Sequence, residues 1–181
     1  MIITGGSLKG RRIKTIASRE VRPTSSKIRE SIFNIIQSMH QSFDLVLDLF
    51  AGSGIIGLEA YSRGARKVVF VEKNPKVAKI LRENLGNFDF DYELIISDAI
   101  RALDKLKGNK FDFIFIDPPY ASGLIEPALV KIRNNELLAA DGIVIIEHSP
   151  DYDVNNLAVT LDFEILKEKK YGDTAITIIN K

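Results

Sequence analysis

Cysteine is absent from this chain of 181 residues, and histidine occurs only as His40 and His148. Without cysteine there can be no disulfide, no thiolate metal ligand and no cysteine nucleophile. Two imidazoles are too few for a histidine-rich zinc site, and they disfavour a Ser-His-Asp triad. The sequence therefore predicts a protein that works without a metal ion.

Long hydrophobic runs are also missing, and the N-terminus lacks the apolar core of a signal peptide. The content of 45% apolar and 27% charged residues is typical of a soluble globular protein. A chain of this length is most simply one domain with a substantial core. We therefore expect a cytoplasmic monomer that makes no membrane contact.

Positive charge is concentrated at one end of the chain. Residues 1–30 hold eight Lys or Arg against two Glu, a net charge of +6, whereas the remaining residues carry −5. A basic segment beside an acidic body favours a polyanionic partner over a merely solvated face. We therefore expect the partner to be a nucleic acid.

Strand-like and helix-like segments alternate from residue 45 onward. The predicted strands cover residues 45–50, 67–72, 93–96, 111–116 and 142–147. The predicted helices cover about residues 54–63, 75–87, 99–106 and 124–134. This alternation predicts an α/β fold with a largely parallel, doubly wound sheet. Residues 163–169 and 175–179 flank a turn and predict a C-terminal hairpin that adds one antiparallel strand.

Residues 1–42 do not follow this alternation, and we interpret them as a basic extension packed on a core of residues 43–181. Short apolar stretches at residues 2–3 and 12–16 flank glycines and predict a small β-hairpin. Ser25 or Ser26 is the expected N-cap of a helix that continues to about Met39. The two parts are expected to form effectively one domain.

The segment Phe-Asp-Phe-Ile-Phe-Ile-Asp-Pro-Pro-Tyr at residues 111–120 gives the strongest indication of chemistry. A buried strand must end at Asp117, because Pro118 and Pro119 lack N–H donors and disfavour helix for the preceding residue. Asp117 therefore lies at the carboxyl end of a strand, and in open α/β sheets ligands bind at the carboxyl ends of the strands. Asp117 and the Pro118 carbonyl could accept both N–H bonds of an exocyclic amine, while Tyr120 stacks on its ring. The alternative is a plain turn that Asp117 caps.

A glycine-rich loop follows the first predicted strand. Gly52-Ser53-Gly54-Ile55-Ile56-Gly57 formally matches the dinucleotide fingerprint, and Glu72 ends the next strand, where a ribose-binding carboxylate is expected. Such glycines allow a tight turn and a close approach of the backbone to a ligand. The pattern alone fits binding of NAD, binding of S-adenosylmethionine, or only a tight turn between strand and helix.

Acidic residues at successive strand ends separate these possibilities. Asp48 lies within an apolar strand, where a buried carboxylate needs a partner, and Asp98 follows the third strand. Asp48, Glu72 and Asp98 suit the ammonium, the ribose hydroxyls and the adenine of S-adenosylmethionine, whereas a pyrophosphate favours positive or neutral surroundings. Asp98 could instead be a helix N-cap and Glu72 a solvated strand end. Together with the segment around Asp117, the pattern favours S-adenosylmethionine.

These motifs resemble those of amino-directed methyltransferases, and more narrowly those of the bacterial 16S ribosomal RNA guanine-N2 methyltransferase family. The resemblance covers essentially the whole chain. It includes Gly5-Gly6, Gly10-Arg11, Arg22-Pro23-Thr24, Lys27-Ile28-Arg29-Glu30, Phe33-Asn34, residues 48–60, Ser62-Arg63-Gly64-Ala65 and Tyr171-Gly172-Asp173-Thr174. The central motifs are shared by many methyltransferases, and the Arg-Pro-Thr segment narrows the choice.

The resemblance implies a Rossmann-like sheet of seven strands in the order 3-2-1-4-5-7-6, with strand 7 antiparallel and an N-terminal hairpin that contacts RNA. It also implies methylation of one guanine in 16S rRNA, within free rRNA or a small-subunit assembly intermediate. The implied catalytic residues are Asp117, Pro118, Pro119 and Tyr120.

The predicted ligand contacts fall into two sets. The cofactor contacts are Asp48, Phe50, Ala51, Gly52, Ser53, Gly54, Glu72, Lys73, Asp98, Ala99 and Asp117. The RNA contacts are Arg11, Arg12, Arg22, Thr24, Lys27 and Arg29.

Two other functions remain open at this point. The same core motif would serve methylation of adenine N6 in DNA or RNA, and only the N-terminal segment favours guanine. A catalytically silent RNA-binding module would keep the basic extension, but it would need none of the acidic residues at the strand ends. An NAD-dependent oxidoreductase would leave Asp48 and the two prolines without a role.

Overall fold

The computed structural model describes residues 1–15, 25–39, 43–119 and 122–181 of the chain. The predicted site residues Arg22, Thr24 and Tyr120 lie outside these ranges. The helices are α1 (Ser26–Ser38), α2 (Ile55–Ser62), α3 (Pro75–Leu85), α4 (Ala99–Lys105), α5 (Ile125–Asn134) and α6 (Val154–Thr160). The strands are β1 (Leu45–Asp48), β2 (Lys67–Glu72), β3 (Asp91–Ile96), β4 (Phe111–Ile116), β5 (Leu138–His148), β6 (Glu164–Tyr171) and β7 (Thr174–Asn180).

These strands form one sheet in the order β3-β2-β1-β4-β5-β7-β6. β1 to β5 pair in parallel, because a helix between each pair of strands returns the chain to the same end of the sheet. β7 is antiparallel to both β5 and β6, with which it forms the C-terminal hairpin. The predicted fold class is therefore confirmed, including the strand order.

Helices cover both faces of the sheet. α1, α2 and α3 pack in one hydrophobic cluster, and α4, α5 and α6 pack in a second cluster on the opposite face. We call these the α1–α3 face and the α4–α6 face. Side chains of β4 alternate between them, because Phe113 and Phe115 belong to the first cluster and Ile114 and Ile116 to the second. Burial on both sides explains the nearly continuous apolar sequence of the central strands. No helix within the described ranges is long and apolar enough to cross a membrane.

β5 and α6 depart most from the sequence-based expectation, and smaller differences are that β1 ends at Asp48 rather than residue 50 and that β3 begins at Asp91 rather than residue 93. β5 begins at Leu138, four residues before the predicted start, and its register with β4 is irregular between Phe111 and Phe113. A Cβ atom at Gly142 would lie 2.6 Å from the Phe111 carbonyl oxygen, so glycine is needed where the two backbones approach. α6 was not predicted. It is a short helix of modest propensity, and Asp153 caps it by accepting a hydrogen bond from the Asn156 N–H.

Residues 1–15, which we call the N-terminal arm, turn back on themselves. Ile2 and Arg12 form an antiparallel bridge, and the Ile3 N–H donates to the Arg11 carbonyl at 3.0 Å. Ile3 and Ile13 are buried in the cluster of the α1–α3 face. The arm is thus a hairpin-like turn that is anchored to the core by two isoleucines.

A buried carboxylate also holds the arm. Glu59 of α2 is inaccessible to solvent, and its Oε1 accepts hydrogen bonds from the N–H and the hydroxyl of Thr4, both at 2.8 Å. The same oxygen accepts a bond from Arg29 Nε at 3.3 Å, and Arg63 pairs with Oε2. Because the charged side chains of Glu59, Arg29 and Arg63 are at most 7% exposed, removing one of the three would leave a buried charge without one of its partners. The cluster ties the arm, α1 and α2 together.

The prediction that Arg29 contacts RNA is wrong. Its side chain is buried, and its Nη2 donates to the Ile2 carbonyl at 2.9 Å and to the Ser26 hydroxyl at 3.3 Å, in addition to the bond with Glu59. Its guanidinium is engaged within the protein and is withdrawn from any phosphate at the surface. Arg29 therefore has a structural role.

Asn84, at the end of α3, joins the arm to the glycine-rich loop. Its side-chain oxygen accepts a hydrogen bond from the Lys14 N–H at 2.8 Å, and its Nδ2 donates to the Lys14 carbonyl at 3.0 Å. The same Nδ2 donates to the Ser53 carbonyl at 2.9 Å. Asn84 is inaccessible to solvent, and its bond to the Ser53 carbonyl is buried, so water does not reach that bond.

Replacing Asn84 with alanine should therefore lower the free energy of unfolding by about 1–3 kcal/mol, because backbone groups of Lys14 and Ser53 lose their partners in a buried place. Urea denaturation measures the change. Asn87→Ala is the matched control, since Asn87 is exposed and makes one side-chain bond to the Glu83 carbonyl. Equal losses in the two variants would contradict the bridging role of Asn84.

Candidate active site

The loop after β1 owes its shape to three glycines. Gly52 and Gly54 have φ angles of 53° and 82°, in the left-handed region that favours glycine. A Cβ at Gly54 would lie 2.4 Å from Leu81 Cδ1, and one at Gly57 would lie 2.2 Å from Phe70 Cε1. These two glycines therefore let α2 pack closely on β2 and α3. A Cβ at Gly52 would meet no atom within 4 Å, so this residue borders open space.

Asp48 ends β1 beneath this loop. It is 2% exposed, and its Oδ2 accepts a hydrogen bond from the Gly57 N–H at 3.0 Å. Burial raises the pKa of Asp48 from 3.8 to about 7, and the nearby charge of Glu72 acts in the same direction. The bond from Gly57 opposes this shift without cancelling it. A cationic ligand beside Asp48 would stabilise its ionised form.

Glu72 ends β2 and binds the loop from the other side. Its Oε2 accepts a hydrogen bond from the Gly52 N–H at 3.1 Å, and its Oε1 accepts one from the Asn74 N–H at 2.7 Å. Each carboxylate oxygen has two acceptor positions, so both remain able to bind a further donor. The structure thus places Glu72 against the glycine-rich loop, and its contact with a ribose stays a prediction.

Asp98 follows β3 and is the N-cap of α4, which was the alternative considered from the sequence. Its Oδ1 accepts hydrogen bonds from the N–H groups of Ile100 at 3.0 Å and Arg101 at 3.4 Å. The residue is exposed at the same sheet edge as Asp48 and Glu72. A cap and a ligand contact are compatible, because both cap bonds use one oxygen.

The other predicted cofactor contacts vary in exposure. Ala51 and Ser53 are buried within the loop, and Phe50 is half-buried against the α4–α6 face. Lys73 is exposed, whereas Ala99 is buried in the first turn of α4. Ala51 also continues the pairing of the sheet, since its N–H donates to the Val71 carbonyl at 2.9 Å.

The end of β4 carries the predicted substrate-binding residues. Asp48 pairs in register with Phe115, so Asp117 lies on the strand adjacent to Asp48 and two residues beyond this pair. Asp117 is half-buried, Pro118 is buried and Pro119 is exposed. The Pro119 carbonyl accepts a hydrogen bond from the Ser122 N–H at 3.1 Å. The structure thus brings Asp117 and the two prolines to the same edge as the glycine-rich loop.

Two residues at the end of β5, Glu147 and His148, were not assigned to the site from the sequence. Both are buried at the carboxyl edge, next to the end of β4. The His148 Nδ1–H donates to the Ser149 carbonyl at 2.8 Å, and Nε2 lies 2.8 Å from the Thr177 hydroxyl, which can serve a neutral ring as donor. Burial accordingly lowers the pKa of His148. Their position after the apolar run of β5, like that of Asp117 after β4, is the pattern that could have identified them.

Two cavities adjoin this edge. One of about 70 Å³ lies beside Pro118, Pro119 and Glu147, on the side of α5. A larger one, of about 470 Å³, lies between the start of α1 and the turn joining β6 to β7. Its lining comprises Ser25, Lys27, Ile28, Glu147, Lys170, Tyr171, Gly172, Asp173 and Thr174. Glu147 borders both cavities.

Three of the predicted RNA contacts are placed at the surface. Arg11 and Arg12 are exposed on the N-terminal arm, and the Arg11 guanidinium lies 5.5 Å from the centre of the Phe88 ring. Lys27 is exposed in the first turn of α1 and borders the larger cavity. These side chains are available to a polyanion, and their contact with RNA stays a prediction.

The sheet order defines the class of Rossmann-like methyltransferases. A solved structure described as "Putative methyltransferase yhhF from Escherichia coli" superposes with a TM-score of 0.83 at 28% identity, over 99% of this chain and 96% of that one. The chain belongs to the bacterial small-subunit rRNA methyltransferase family, because residues 1–180 match the family described as "Conserved hypothetical protein 95" and full-length relatives bear that activity in their names.

Two such relatives are similar over nearly their whole length. "Putative rRNA methyltransferase YlbH" of Bacillus subtilis is 35% identical, over 100% of this chain and 99% of its own. "Ribosomal RNA small subunit methyltransferase D" of Haemophilus influenzae is 34% identical, over 94% of this chain and 88% of its own. The resemblance to bacterial 16S rRNA methyltransferases is therefore confirmed, and methylation at guanine N2 stays a prediction.

Replacing Asp48 with asparagine should change how stability depends on pH. Because the pKa of Asp48 is 3.8 when unfolded and about 7 when folded, the folded protein alone holds a proton between these values, and wild-type stability falls as pH rises through this window. Asparagine keeps an acceptor for the Gly57 N–H but cannot ionise. Asp48→Asn should therefore gain stability relative to wild type at about pH 8 compared with about pH 5, as measured by urea denaturation. An exposed control, Asp141→Asn, should show no such gain, and parallel curves for wild type and Asp48→Asn would refute the raised pKa.

Proposed function

We propose that the protein transfers a methyl group from S-adenosylmethionine to the exocyclic N2 of one guanine in 16S rRNA. The observation that carries this proposal is the position of Asp117 and Pro118 at the carboxyl edge, one strand away from Asp48 and the glycine-rich loop. Membership of the small-subunit rRNA methyltransferase family, together with the names of its relatives, supports rRNA as the substrate.

The residues around the glycine-rich loop fit the cofactor. Gly52 borders open space, and Asp48 is a buried acid that a cationic group would ionise. Asp48 would attract the ammonium group, Glu72 would accept from the ribose hydroxyls, and Asp98 would accept from the adenine amine. When bound, the cofactor supplies an electrophilic methyl group on a positively charged sulfur. The role of the protein is to hold this group against the substrate amine.

Asp117 and the Pro118 carbonyl would hold the substrate amine. The N2 of guanine is a weak nucleophile, because its lone pair is delocalised into the ring. Two acceptors on its N–H groups would orient the lone pair toward the methyl group, an effect of proximity and orientation. Positive charge develops on the nitrogen during transfer, and the Asp117 carboxylate would stabilise this charge. Asp117 or water would then accept the proton that the amine loses.

The target base must leave its helix or loop to reach these groups. Tyr120 is proposed to stack on the extruded base. Arg11, Arg12 and Lys27 are proposed to contact phosphates, since their exposed charges lie on the arm and at the start of α1. The substrate is either free 16S rRNA or a small-subunit assembly intermediate, and no metal ion is required.

The first experiment uses tritiated S-adenosylmethionine with small ribosomal subunits, and separately with their rRNA, from cells that lack this protein. Digestion to nucleosides and chromatography then identify the labelled product. Label in N2-methylguanosine is the expected result, and its mapping gives the target nucleotide. Label in N6-methyladenosine would show that adenine, and not guanine, is the substrate. No label despite cofactor binding would favour the silent RNA-binding module.

Replacing Asp117 with alanine should lower kcat by about 100-fold or more, because the transition state loses both an orienting acceptor and a negative charge. The KM for S-adenosylmethionine should change far less. Asp141→Asn removes an exposed carboxylate elsewhere and should retain wild-type turnover. Wild-type turnover by Asp117→Ala, measured with tritiated cofactor, would refute the proposed mechanism.

The double variant Arg11→Ala, Arg12→Ala should bind rRNA more weakly. Each lost phosphate contact should reduce the slope of log affinity against log salt by about 0.7–0.9. Filter binding over a range of salt concentrations measures this slope, and the affinity for S-adenosylmethionine serves as an internal control. Lys105→Ala is the matched control, since Lys105 is exposed at the end of α4, on the opposite face of the sheet from the arm. An unchanged slope in the double variant would show that Arg11 and Arg12 do not contact the phosphates of the RNA.

A further inference from the structure

Glu147 lies beside Asp117 on the neighbouring strand. β4 and β5 pair in parallel with Ile116 opposite Ile146, so the next residues along the two chains, Asp117 and Glu147, are neighbours. Parallel strands are about 4.7–4.9 Å apart, which places the two carboxylates within reach of one small planar group. The end of β5 therefore adds a second acid to the substrate edge.

The side chain of Glu147 belongs to the α1–α3 face. Ile145, two residues earlier, is in the hydrophobic cluster of that face, and so is Ile176, which pairs with Glu147 across β5 and β7. Asp117 has the same parity on β4 as Phe113 and Phe115, which are also in that cluster. Alternation thus directs Asp117 and Glu147 to the same side of the sheet.

Glu147 also borders two cavities beside the end of β4, neither of which Asp117 lines within the described residues. Glu147 is 5% exposed, and it lines both the cavity beside Pro118 and Pro119 and the cavity of about 470 Å³ at the start of α1. Sites for small ligands typically have volumes of about 300–1,000 Å³. A buried carboxylate at the wall of such a space can only accept hydrogen bonds, so it selects a ligand that donates them.

Guanine presents donors where adenine presents an acceptor. On the Watson–Crick edge of guanine the N1–H lies directly beside the N2 amine, whereas the ring nitrogen N1 beside the adenine N6 amine carries a lone pair. We propose that Glu147 accepts the N1–H of the target guanine while Asp117 and the Pro118 carbonyl accept its N2 amine. This inference rests on the proposed function and assigns its base specificity to Glu147.

The same arrangement disfavours adenine. Its N1 lone pair would face an oxygen of the Glu147 carboxylate, so two acceptors would repel each other where guanine places a donor. A site built to hydrogen-bond a substrate group rejects the analogue that lacks it far more strongly than an apolar pocket rejects a change of size. Glu147 is therefore a specificity-determining residue that is distinct from the groups holding the amine.

The test uses 2-aminopurine, which keeps the N2 amine of guanine but has a lone pair instead of a hydrogen at N1 and no oxygen at C6, so the variant described below separates the two differences. It is placed at the mapped target nucleotide of the rRNA, and kcat/KM is compared with that of the guanine substrate. Wild type should prefer guanine by about 10- to 100-fold, the range expected for one hydrogen bond to a charged acceptor. Equal kcat/KM values for the two substrates would overturn the proposal without requiring any variant.

Glu147→Gln provides the second measurement. An amide can donate to the N1 lone pair of 2-aminopurine, so the preference for guanine should shrink to within about 3-fold, a change that a purely structural role would not produce. Glu164→Gln, which removes an exposed carboxylate from β6, should keep the wild-type preference. Calorimetric binding of S-adenosylmethionine verifies that each variant is folded. An unchanged preference in folded Glu147→Gln would reject the assignment.

Failure of this inference is distinguishable from failure of the proposed function. If wild type forms no N2-methylguanosine on rRNA or subunits, the proposed function is wrong. If wild type forms it and yet methylates 2-aminopurine equally well, the function stands and Glu147 does not recognise N1–H.

Discussion

Parallel pairing of β1 to β5 is the constraint on which the candidate site depends. Because these strands run in one direction, Asp48, Glu72, Asp117 and Glu147 reach the same edge although they are far apart in the chain. Several carboxylates thus lie close together where water has only partial access. This arrangement costs free energy unless hydrogen-bond donors or cations stabilise the negative charge. Backbone N–H groups of Gly52 and Gly57 donate hydrogen bonds to Glu72 and Asp48 and stabilise part of this charge. The pKa of Asp48 is nevertheless raised, because these hydrogen bonds do not offset its burial and the charge of Glu72.

Much of the fold could be predicted because its information is local. The bounds of β2 and β4 agree with the expectation to the residue, since each apolar run is ended by a charged residue or by proline. The start of β5 was missed because its first residues pair with β4 across an irregularity that depends on the partner strand. α6 was missed because a short helix of low propensity is stabilised mainly by packing of Val154 and Ala158 on the α4–α6 face.

Residues of the candidate site were likewise predicted where the signal is local and missed where it depends on distant residues. Gly52, Asp48 and Asp117 were identified from patterns within a few residues of each, and the structure brings them to one edge. Arg29 was misassigned because its partner Glu59 is thirty residues away in the chain, and no local pattern distinguishes a buried arginine from one that contacts phosphate. Glu147 was overlooked because its significance depends on the register between β4 and β5. Long-range pairing decides these cases, and a single sequence does not display it.

The amide of Asn84 has a consequence for how the two substrates would affect one another. One side chain, itself inaccessible to solvent, bonds both Lys14 of the basic arm and Ser53 of the glycine-rich loop. A ligand that displaces the arm must therefore either carry the loop with it or break a buried hydrogen bond, and the same holds for a ligand that displaces the loop. Thermodynamic linkage makes any such effect reciprocal, so the free energy by which one ligand changes the binding of the other is the same in both directions. The arm and the loop are thus joined through one buried side chain, and displacement of either is opposed by the same set of hydrogen bonds.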